Sequence, residues 1–357
     1  MLNHLLAGLN IFNLSNIKRV WSNIERSSKV LYCSVILVCL IFYILLGDTL
    51  YNWSTLQSMG FQIGEFMFLA LAMGLVVLTG GIDLSVVANM NVAAIVIAWI
   101  LSGSELGRIG SPILSIVIAV VLGLLSAIVC GVINGCLVSM AGVNPIVATL
   151  GTQLLFAGIA TAATNGSSIG VSVIDYSMFG ISSVAGIPTV FLIGIISYAI
   201  TGWVASHTRY GRELYFYGSN PVASLFSGHR VNRTIIITYA ISGLFVAIAA
   251  LVMVARVNSA RVGFGGTYLL QALLVVVLAG FDPFGGRGKF ANLFLSVIML
   301  QVLQTGFTIL NFSPFIKNLT WGAALIFVMI VNRLLEYKTS VNCKSSHDTK
   351  DNNISKK

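Results

Sequence analysis

The chain has 357 residues, of which 57% are hydrophobic and 9% are charged, and its mean hydropathy is +0.94. About a quarter of the residues in a soluble protein are charged, so this composition excludes the soluble globular class and predicts a polytopic membrane protein. The net charge of +9 comes from basic residues that cluster beside apolar stretches, where they act as topology signals, so nucleic acid is not an expected partner.

Residues 1–29 form the first segment. Their apolar side chains recur at roughly helical intervals, with Lys18, Arg19 and Arg26 among them. This pattern predicts a cytoplasmic amphipathic helix on the inner face of the lipid bilayer. A cleavable signal peptide is not predicted, because the apolar part is interrupted and no small-residue cleavage site follows it.

The region 30–335 consists of long apolar stretches, and it predicts an all-α polytopic membrane domain with about ten transmembrane helices. Residues 336–357, rich in Lys, Asn, Ser and Asp, are predicted to form a disordered cytoplasmic tail. The predicted spans are about 30–46, 57–79, 84–102, 112–139, 145–163, 188–206, 234–255, 267–280, 291–311 and 315–332.

The basic residues orient these spans. With ten spans and a cytoplasmic N-terminus, all but four of the 20 Lys and Arg residues fall on the inner side. The exceptions are Arg108, Arg256, Arg261 and Lys317. The positive-inside rule therefore predicts that both termini are cytoplasmic, and that the loop 164–187, which has no Lys or Arg, faces outward.

Glu65 is the clear ionisable candidate within a span. We interpret it as lying near the outer end of its helix, where its side chain reaches water. An ion-coupled carrier usually needs more than one such group, so the chain resembles a conduit for a neutral polar solute that is driven by something else. A secondary, ion-coupled carrier for a small polar solute is the alternative hypothesis.

The segment Leu78–Val86, LTGGIDLSV, is the sharpest motif of the first half. Its paired glycines end one helix, and Asp83 or Ser85 can cap the next helix by accepting its free backbone N–H groups. A capped turn and a role in the transport path are both open interpretations. A weak echo of residues 75–83 occurs at 275–282, VVVLAGFD, and it indicates a duplicated architecture of the kind that transporters use.

Polar side chains along the spans suit the passage of a hydroxylated solute, because nearly all of them are uncharged hydrogen-bonding groups. Such residues are equally typical of contacts that hold membrane helices together. The candidates for a translocation path are Asp83, Asn89, Asn134, Asn144, Thr149 and Gln153.

Residues 208–233 form the longest polar interruption of the chain. They contain four arginines, a turn signal at Gly218 to Pro221, and a short apolar-periodic piece, Val222 to Phe226, that predicts a few helical turns. The segment is too polar to lie in lipid, and its arginines place it in the cytoplasm. It is therefore the surface that a cytoplasmic partner would bind.

The motifs of enzymes are missing from the sequence. The nearest approach to a P-loop, Gly285 to Lys289, has the wrong spacing and lacks the hydroxyl residue after the lysine. The stretch GSSIG at Gly166 to Gly170 lacks the strand-to-helix context of a nucleophile elbow. The five cysteines have neither metal-ligand nor disulfide-framework spacing. No catalytic residue, metal site or bound cofactor is predicted.

Several motifs occur in a characteristic order: LTGGIDLSV, Asn134-Gly135, VNPIVATLGT at 143–152, TRYGRELYFYGSNPVASLFSG at 208–228, SARVGFGGTY at 259–268 and LAGFDPFGGRGKF at 278–290. Together they resemble the membrane permease subunits of bacterial ABC importers for monosaccharides, the ribose, xylose, arabinose and galactose group. The resemblance covers about residues 55–335.

The resemblance implies that a short helix in the 208–233 loop docks into a cleft of an ATPase subunit, and that the ATPase, and not this chain, binds ATP. It also implies a homodimer of permeases, two ATPase copies, a periplasmic sugar-binding protein and a location in the bacterial inner membrane. The candidate coupling residues are Arg209, Gly211, Arg212, Gly218, Asn220, Ala223, Ser227 and Gly228. Of these, Gly218 and Gly228 are expected to provide backbone freedom at positive φ.

The chain departs from the family pattern in three places. Val86 and Val87 follow the first motif where the family usually has glycine, so helix packing there must differ. Leu269 and Gln271 stand where the family often has two acids, and His229 stands where an aliphatic residue is usual. These differences bear on the identity of the substrate and of the partners.

Overall fold

The computed structural model describes residues 26–103, 111–228 and 230–331. Most of the predicted N-terminal segment, the predicted tail and His229 lie outside these residues. The helices are α1 (Arg26–Leu46), α2 (Asp48–Tyr51), α3 (Trp53–Leu78), α4 (Val86–Leu101), α5 (Pro112–Ser139), α6 (Pro145–Thr164), α7 (Ile174–Ile181), α8 (Thr189–His207), α9 (Arg209–Ser219), α10 (Pro221–Phe226), α11 (Val231–Val257), α12 (Tyr268–Leu278), α13 (Phe290–Ile309) and α14 (Pro314–Val331).

Eight helices in the described part of the chain are long and apolar enough to cross a membrane: α1, α3, α5, α6, α8, α11, α13 and α14. Two more, α4 and α12, are apolar but have only 16 and 11 residues, or about 24 and 16 Å at 1.5 Å per residue. Each predicted span coincides with one of these ten helices to within a few residues. The all-α polytopic membrane fold is confirmed, with eight described helices that are long and apolar enough to span the membrane.

Helix α3 forms the centre of the bundle. Nearly all of its apolar stretch is buried, and it packs against α8, α11, α12 and α13. In contrast, α1 and α14 bury little of their surface and expose apolar side chains. Lipid is as apolar as these side chains, so an exposed apolar surface is what the periphery of a membrane bundle requires.

Helices α5 and α11 approach each other closely through small residues. A Cβ atom added at Gly131 of α5 would overlap the backbone oxygen of Tyr239, and one added at Gly243 of α11 would overlap that of Ala127. Only glycine allows this contact, because helix backbones in a membrane associate by close van der Waals packing. Helix α5 is continuous over its 28 residues.

Short strands join the loops at one end of the bundle. Strand β1 (Ile169–Gly170) pairs antiparallel with β4 (Ser259–Ala260), and β2 (Ser183–Val184) forms a hairpin with β3 (Ile187–Pro188). The backbone N–H of Ser172 also donates to Leu101 O at 3.0 Å, which brings the end of α4 to the same place. We call these segments, 165–188 and 258–267, the hairpin face.

Helix α8 separates the hairpin face from the opposite end of the bundle. It begins directly after β3 and runs for 19 residues, about 28 Å, before α9 begins. At that far end, α9 lies beside the turns that follow α3 and α12, residues 79–85 and 279–289, and α10 follows α9. We call this end the α9–α10 face.

Candidate functional site

The polar segment 208–233 folds as two helices that meet at Asn220. Helix α9 begins after Thr208, whose side-chain oxygen accepts from Gly211 N at 3.2 Å, and it continues to Ser219. Asn220 then caps α10 by accepting from Ala223 N at 2.9 Å, with Pro221 in the first helical position. The predicted turn is therefore a single extended residue between two helices, because the Asn-Pro pair ends one helix and starts the next.

The short helix α10 was predicted at Val222 to Phe226, and it is confirmed with one more residue at its start. It exposes Val222, Leu225 and Phe226, the last with 85% of its surface accessible, and it buries Ser224. Three exposed apolar side chains on an otherwise polar segment form a small apolar patch, which is typical of a protein contact surface. The sequence indicated this helix, but these three side chains were not among the predicted coupling residues.

Glycine is required at positions 218 and 228 for different physical reasons. Gly228 has φ +74° with open space around it, so the expected left-handed conformation is confirmed there. The expectation is wrong for Gly218, which is helical and buried in α9. A Cβ atom at Gly218 would overlap Leu78 O and Gly286 N, so glycine is required there by the close approach of three backbone segments.

The structure places the eight predicted coupling residues on α9, at the junction of α9 and α10, on α10 and in the turn that follows. Gly211 and Gly218 are buried on the side of α9 that faces the bundle, and Arg209 is exposed, where it pairs with Glu213 at 2.8 Å. The others are exposed or half-buried: Arg212, Asn220, Ala223, Ser227 and Gly228. Their role in docking stays a prediction.

The turn between α3 and α4 contains a buried network of hydrogen bonds. Asp83 Oδ1 accepts from the backbone N–H of Ser85 at 2.9 Å and from its hydroxyl at 2.7 Å. The amide of Asn134 donates to Ser85 Oγ at 2.7 Å, and the hydroxyl of Thr149 donates to Ile82 O at 3.0 Å. The turn is thereby tied to α5 and α6. Asp83 closes a tight turn just before α4 and does not cap the helix itself.

Burial governs the acidity of Asp83. Its carboxyl group is almost fully buried in the turn, and this burial raises its pKa from 3.8 to about 6. The two hydrogen bonds from Ser85 act in the opposite direction, because they stabilise the carboxylate. The group therefore changes its charge close to neutral pH.

The other predicted path residues lie in different environments. Asn89 is buried and donates to Ala127 O at 3.1 Å, which links α4 to α5. Asn144 is exposed and caps α6 by accepting from Ile146 N, and Gln153 is half-buried on α6. Three of the six, Asn89, Asn134 and Thr149, thus tie α5 or α6 to α4 or to the turn before it, and Asp83 holds that turn through Ser85. Their lining of a path stays a prediction.

The interpretation that Glu65 reaches water near the end of its span is wrong. Glu65 lies midway along α3 and is 0% exposed. Arg256 of α11 donates to both of its carboxylate oxygens, at 2.7 and 3.1 Å, and the hydroxyl of Tyr268 donates to one of them at 2.5 Å. A paired and hydrogen-bonded carboxylate tolerates burial, which an isolated one does not.

The echo between residues 75–83 and 275–282 is matched by the local structure. Helices α3 and α12 each end in a C-cap residue followed by a glycine at positive φ, Gly80 at +77° and Gly280 at +82°. The two ends also meet, since Gly286 N donates to Leu78 O at 3.0 Å. The glycines fit because a left-handed residue after a helix end suits glycine best.

Three of the residues that depart from the family pattern are buried in the bundle. Val86 and Val87 are buried at the start of α4, and Gln271 is buried on α12. The side-chain oxygen of Gln271 has no hydrogen-bond partner among the described residues. An amide in place of an acid there removes a charge that the bundle would otherwise have to neutralise.

Multiple apolar helices, interrupted by glycine turns and joined to a polar segment with an exposed apolar helix, define a membrane transport permease and not an enzyme. The chain belongs to the family described as "Branched-chain amino acid transport system / permease component", which matches residues 58–331. It is accordingly a multi-pass protein of the bacterial inner membrane.

Three curated relatives cover most of the chain. The ribose import permease protein of Bacillus subtilis (strain 168) is 32% identical over 276 residues, 76% of this chain and 82% of that protein. The ribose import permease protein of Escherichia coli (strain K12) is 32% identical over 269 residues, 74% and 81%. The autoinducer 2 import system permease protein of the same strain is 32% identical over 285 residues, 77% and 83%. No solved structure matches the chain. The resemblance to sugar importer permeases is confirmed.

Proposed function

We propose that the chain is the transmembrane subunit of an ATP-driven importer that carries a monosaccharide into the cell. The observation that carries this proposal is the apolar patch on helix α10. The helix exposes Phe226 within a segment that is otherwise polar. Such a patch suits a partner protein, and in this proposal the partner is an ATPase subunit that binds and hydrolyses ATP.

In the proposed topology all ten helices cross or enter the membrane, and both termini are cytoplasmic. The hairpin face then lies outside and the α9–α10 face lies inside, in agreement with the distribution of Lys and Arg. Helices α4 and α12 are too short to span an ordinary bilayer upright, and short apolar helices that follow or precede glycine turns often line a transport pathway.

The proposed assembly contains two copies of the permease, two copies of the ATPase and a periplasmic sugar-binding protein on the hairpin face. The sugar passes at the centre of the permease dimer. A sugar is favoured as the solute because two of the relatives described above are ribose import permeases. Uncharged polar side chains along the bundle suit a hydroxylated solute.

The test is reconstitution. The permease is expressed with its neighbouring ATPase and binding-protein genes, purified, and placed in liposomes with ATP inside and labelled ribose outside. We expect the ATPase to copurify, and ATP hydrolysis and uptake to require the binding protein. Uptake by the permease alone under a proton or sodium gradient would contradict the proposal and favour the ion-coupled carrier.

A further inference from the structure

The loop 279–289, which connects α12 to α13, lies against α9 on the α9–α10 face. The Tyr215 hydroxyl of α9 donates to Gly288 O at 2.7 Å. A Cβ atom at Gly286 would overlap Ser219, the last residue of α9, and one at Gly285 would lie 3.0 Å from Gly218 Cα. The loop is therefore in backbone contact with the segment to which the proposed ATPase contact belongs.

The loop is held in one conformation by its own hydrogen bonds. Asp282 accepts from Phe284 N through its side chain and from Gly285 N through its backbone oxygen, both at 2.9 Å. The Asp282 N–H donates to Arg287 O at 3.2 Å, which closes the loop. At its base, the buried ring of Phe281 packs against Phe290 with ring centroids 5.6 Å apart. A loop fixed at both its base and its tip presents its outward side chain in a defined place.

That outward side chain is Phe284, and 84% of its surface is accessible. It has almost the same exposure as Phe226 of α10, and both belong to the same end of the bundle. The neighbouring Arg287 is also exposed, so the ring lies in a polar setting that differs from the apolar, lipid-facing sides of the spans. An exposed aromatic ring on a backbone of fixed conformation, close in sequence to a basic residue, is typical of an anchor in a protein interface.

We propose that Phe284 is a second docking point for the ATPase subunit, separate from α10, and that it inserts into an apolar pocket bordered by acidic side chains. This inference rests on the proposed function, since it names the same partner. The contact with Ser219 makes the surface around Phe284 continuous with the α9–α10 segment. The ATPase thus contacts two parts of the permease, α10 and the loop 279–289, that are far apart in the sequence.

Photo-crosslinking tests the inference. The photoreactive amino acid p-benzoylphenylalanine is placed at Phe284, at Phe226 or at Phe315 in the complex of permease and ATPase expressed together. Phe315 is the matched control, because it is 83% exposed but lies at the start of α14, at the hairpin end of the bundle. We expect adducts with the ATPase, identified by mass, at positions 284 and 226 and not at 315.

The other outcomes separate the two proposals. An adduct with the ATPase at 226 but not at 284, or an adduct only with phospholipid at 284, overturns the second docking point and leaves the proposed function standing. If neither position reacts with the ATPase, the proposed function fails, and this inference fails with it.

A binding titration provides a second readout. We expect Phe284→Ala to weaken the affinity of the ATPase for the permease at least tenfold, as truncation of an interface anchor does. The thermal stability of the isolated permease should not change, because the ring is exposed. An unchanged affinity would overturn the inference, and the matched variant Phe315→Ala should leave the affinity as it is.

Discussion

Glu65 and Arg256 bring opposite charges from two helices into the interior of the bundle. Glu65 is fully buried, and the side chain of Arg256 is 27% exposed, so the pair is only partly accessible. Removing two charges from water is costly, and their attraction offsets this cost only with good geometry and further hydrogen bonds. The bidentate contact and the Tyr268 hydroxyl provide both.

We expect Glu65→Ala to lower the free energy of unfolding by about 3–5 kcal/mol, because it leaves Arg256 without its buried partner. The double variant Glu65→Leu with Arg256→Met should recover most of this loss, since it removes both charges. Tyr268→Phe should cost about 1.5–3 kcal/mol, the contribution of one hydrogen bond to a charged group. Unfolding of the purified permease in detergent measures all three. Equal stability of Glu65→Ala and the native chain would contradict the importance of the pair.

The carboxyl group of Asp83 predicts a dependence of stability on pH. Because burial raises its pKa from 3.8 to about 6, the folded state holds the proton more tightly than the unfolded state does. The favourable contribution of the protonated group is present below pH 4 and is lost as the pH rises through 6. Asp83→Asn retains the acceptor for Ser85 and carries no charge. We expect it to be more stable than the native chain at pH 8 by about 3 kcal/mol, the equivalent of two pKa units.

Thermal unfolding at pH 5 and pH 8 measures the effect of Asp83→Asn. The gain should shrink at the lower pH, where the native carboxyl group is itself largely protonated. Thr149→Val, which removes another hydrogen bond of the same turn without a titrating group, is the control and should show no such dependence on pH. A gain that is the same at both pH values would contradict the prediction.

The Glu65–Arg256 pair and the hydrogen-bonded turn around Asp83 also show what the sequence could not predict about single residues. Glu65 could be recognised as an unusual charge in a span, but its partner lies 191 residues further along the chain, and no local pattern connects them. Hydropathy gives the position of a helix and not its neighbours, so burial in the middle of the bundle was not predictable. The hydrogen bond from Asn134 to Ser85, 49 residues apart, was not predictable for the same reason.

At the scale of elements, α9 and α10 show which patterns are readable. The short helix α10 was predicted because its apolar residues recur at helical spacing. Helix α9 was read as part of a polar loop, although Gly211, Leu214 and Gly218 recur at intervals of three and four and are all buried. The sequence therefore contained the periodic pattern of a buried helix face. Two of the three residues in that pattern are glycines, and a hydropathy scale does not mark glycine as a buried apolar residue.

Gly218→Val is expected to insert into the membrane at a near-normal level but to lose sugar-stimulated ATP hydrolysis and stable binding of the ATPase. A side chain at this position would overlap Leu78 O and Gly286 N, so α9 would have to move away from both. Gly228→Val should have the same direction of effect through strain at φ +74°, where a β-branched residue is disfavoured. ATPase assays of the reconstituted complex measure both.

Gly151→Val is the matched control for these variants, because Gly151 lies in α6 with nothing within 4 Å of an added Cβ atom. It should retain native activity. If sugar stimulates ATP hydrolysis to the native level in both Gly218→Val and Gly228→Val, then α9 and α10 do not take part in coupling.

At the scale of the whole molecule, the positions of the long apolar helices along the chain followed from hydropathy, because a span must be apolar along its full length. Their arrangement did not. Nothing in the composition of α3 distinguishes a central helix from a peripheral one such as α14, since both are apolar, yet the first is nearly all buried and the second is not. The pairing of β1 with β4 across about 90 residues was equally unpredictable, because two-residue strands carry no periodicity.

Cysteines placed at Ser172 and Ser219 should react with a membrane-impermeant thiol reagent from opposite sides of the membrane. Both positions are exposed, and the first belongs to the hairpin face and the second to the α9–α10 face. In intact cells, we expect labelling at 172 only, and after permeabilisation at both. The native cysteines are first replaced by serine or alanine. Labelling of both positions in intact cells would contradict the proposed topology.

Helix α8 has a mechanical consequence for the molecule. At one end it follows directly from the β2–β3 hairpin, and at the other only Thr208 separates it from α9. A displacement of α9 would therefore move α8 and, through α8, the β2–β3 hairpin at the opposite surface. No flexible loop lies between α9 and the hairpin to absorb the movement. If such a displacement changes how tightly a protein binds the hairpin, thermodynamic linkage requires the reverse: binding at the hairpin changes the affinity at α10 by the same factor.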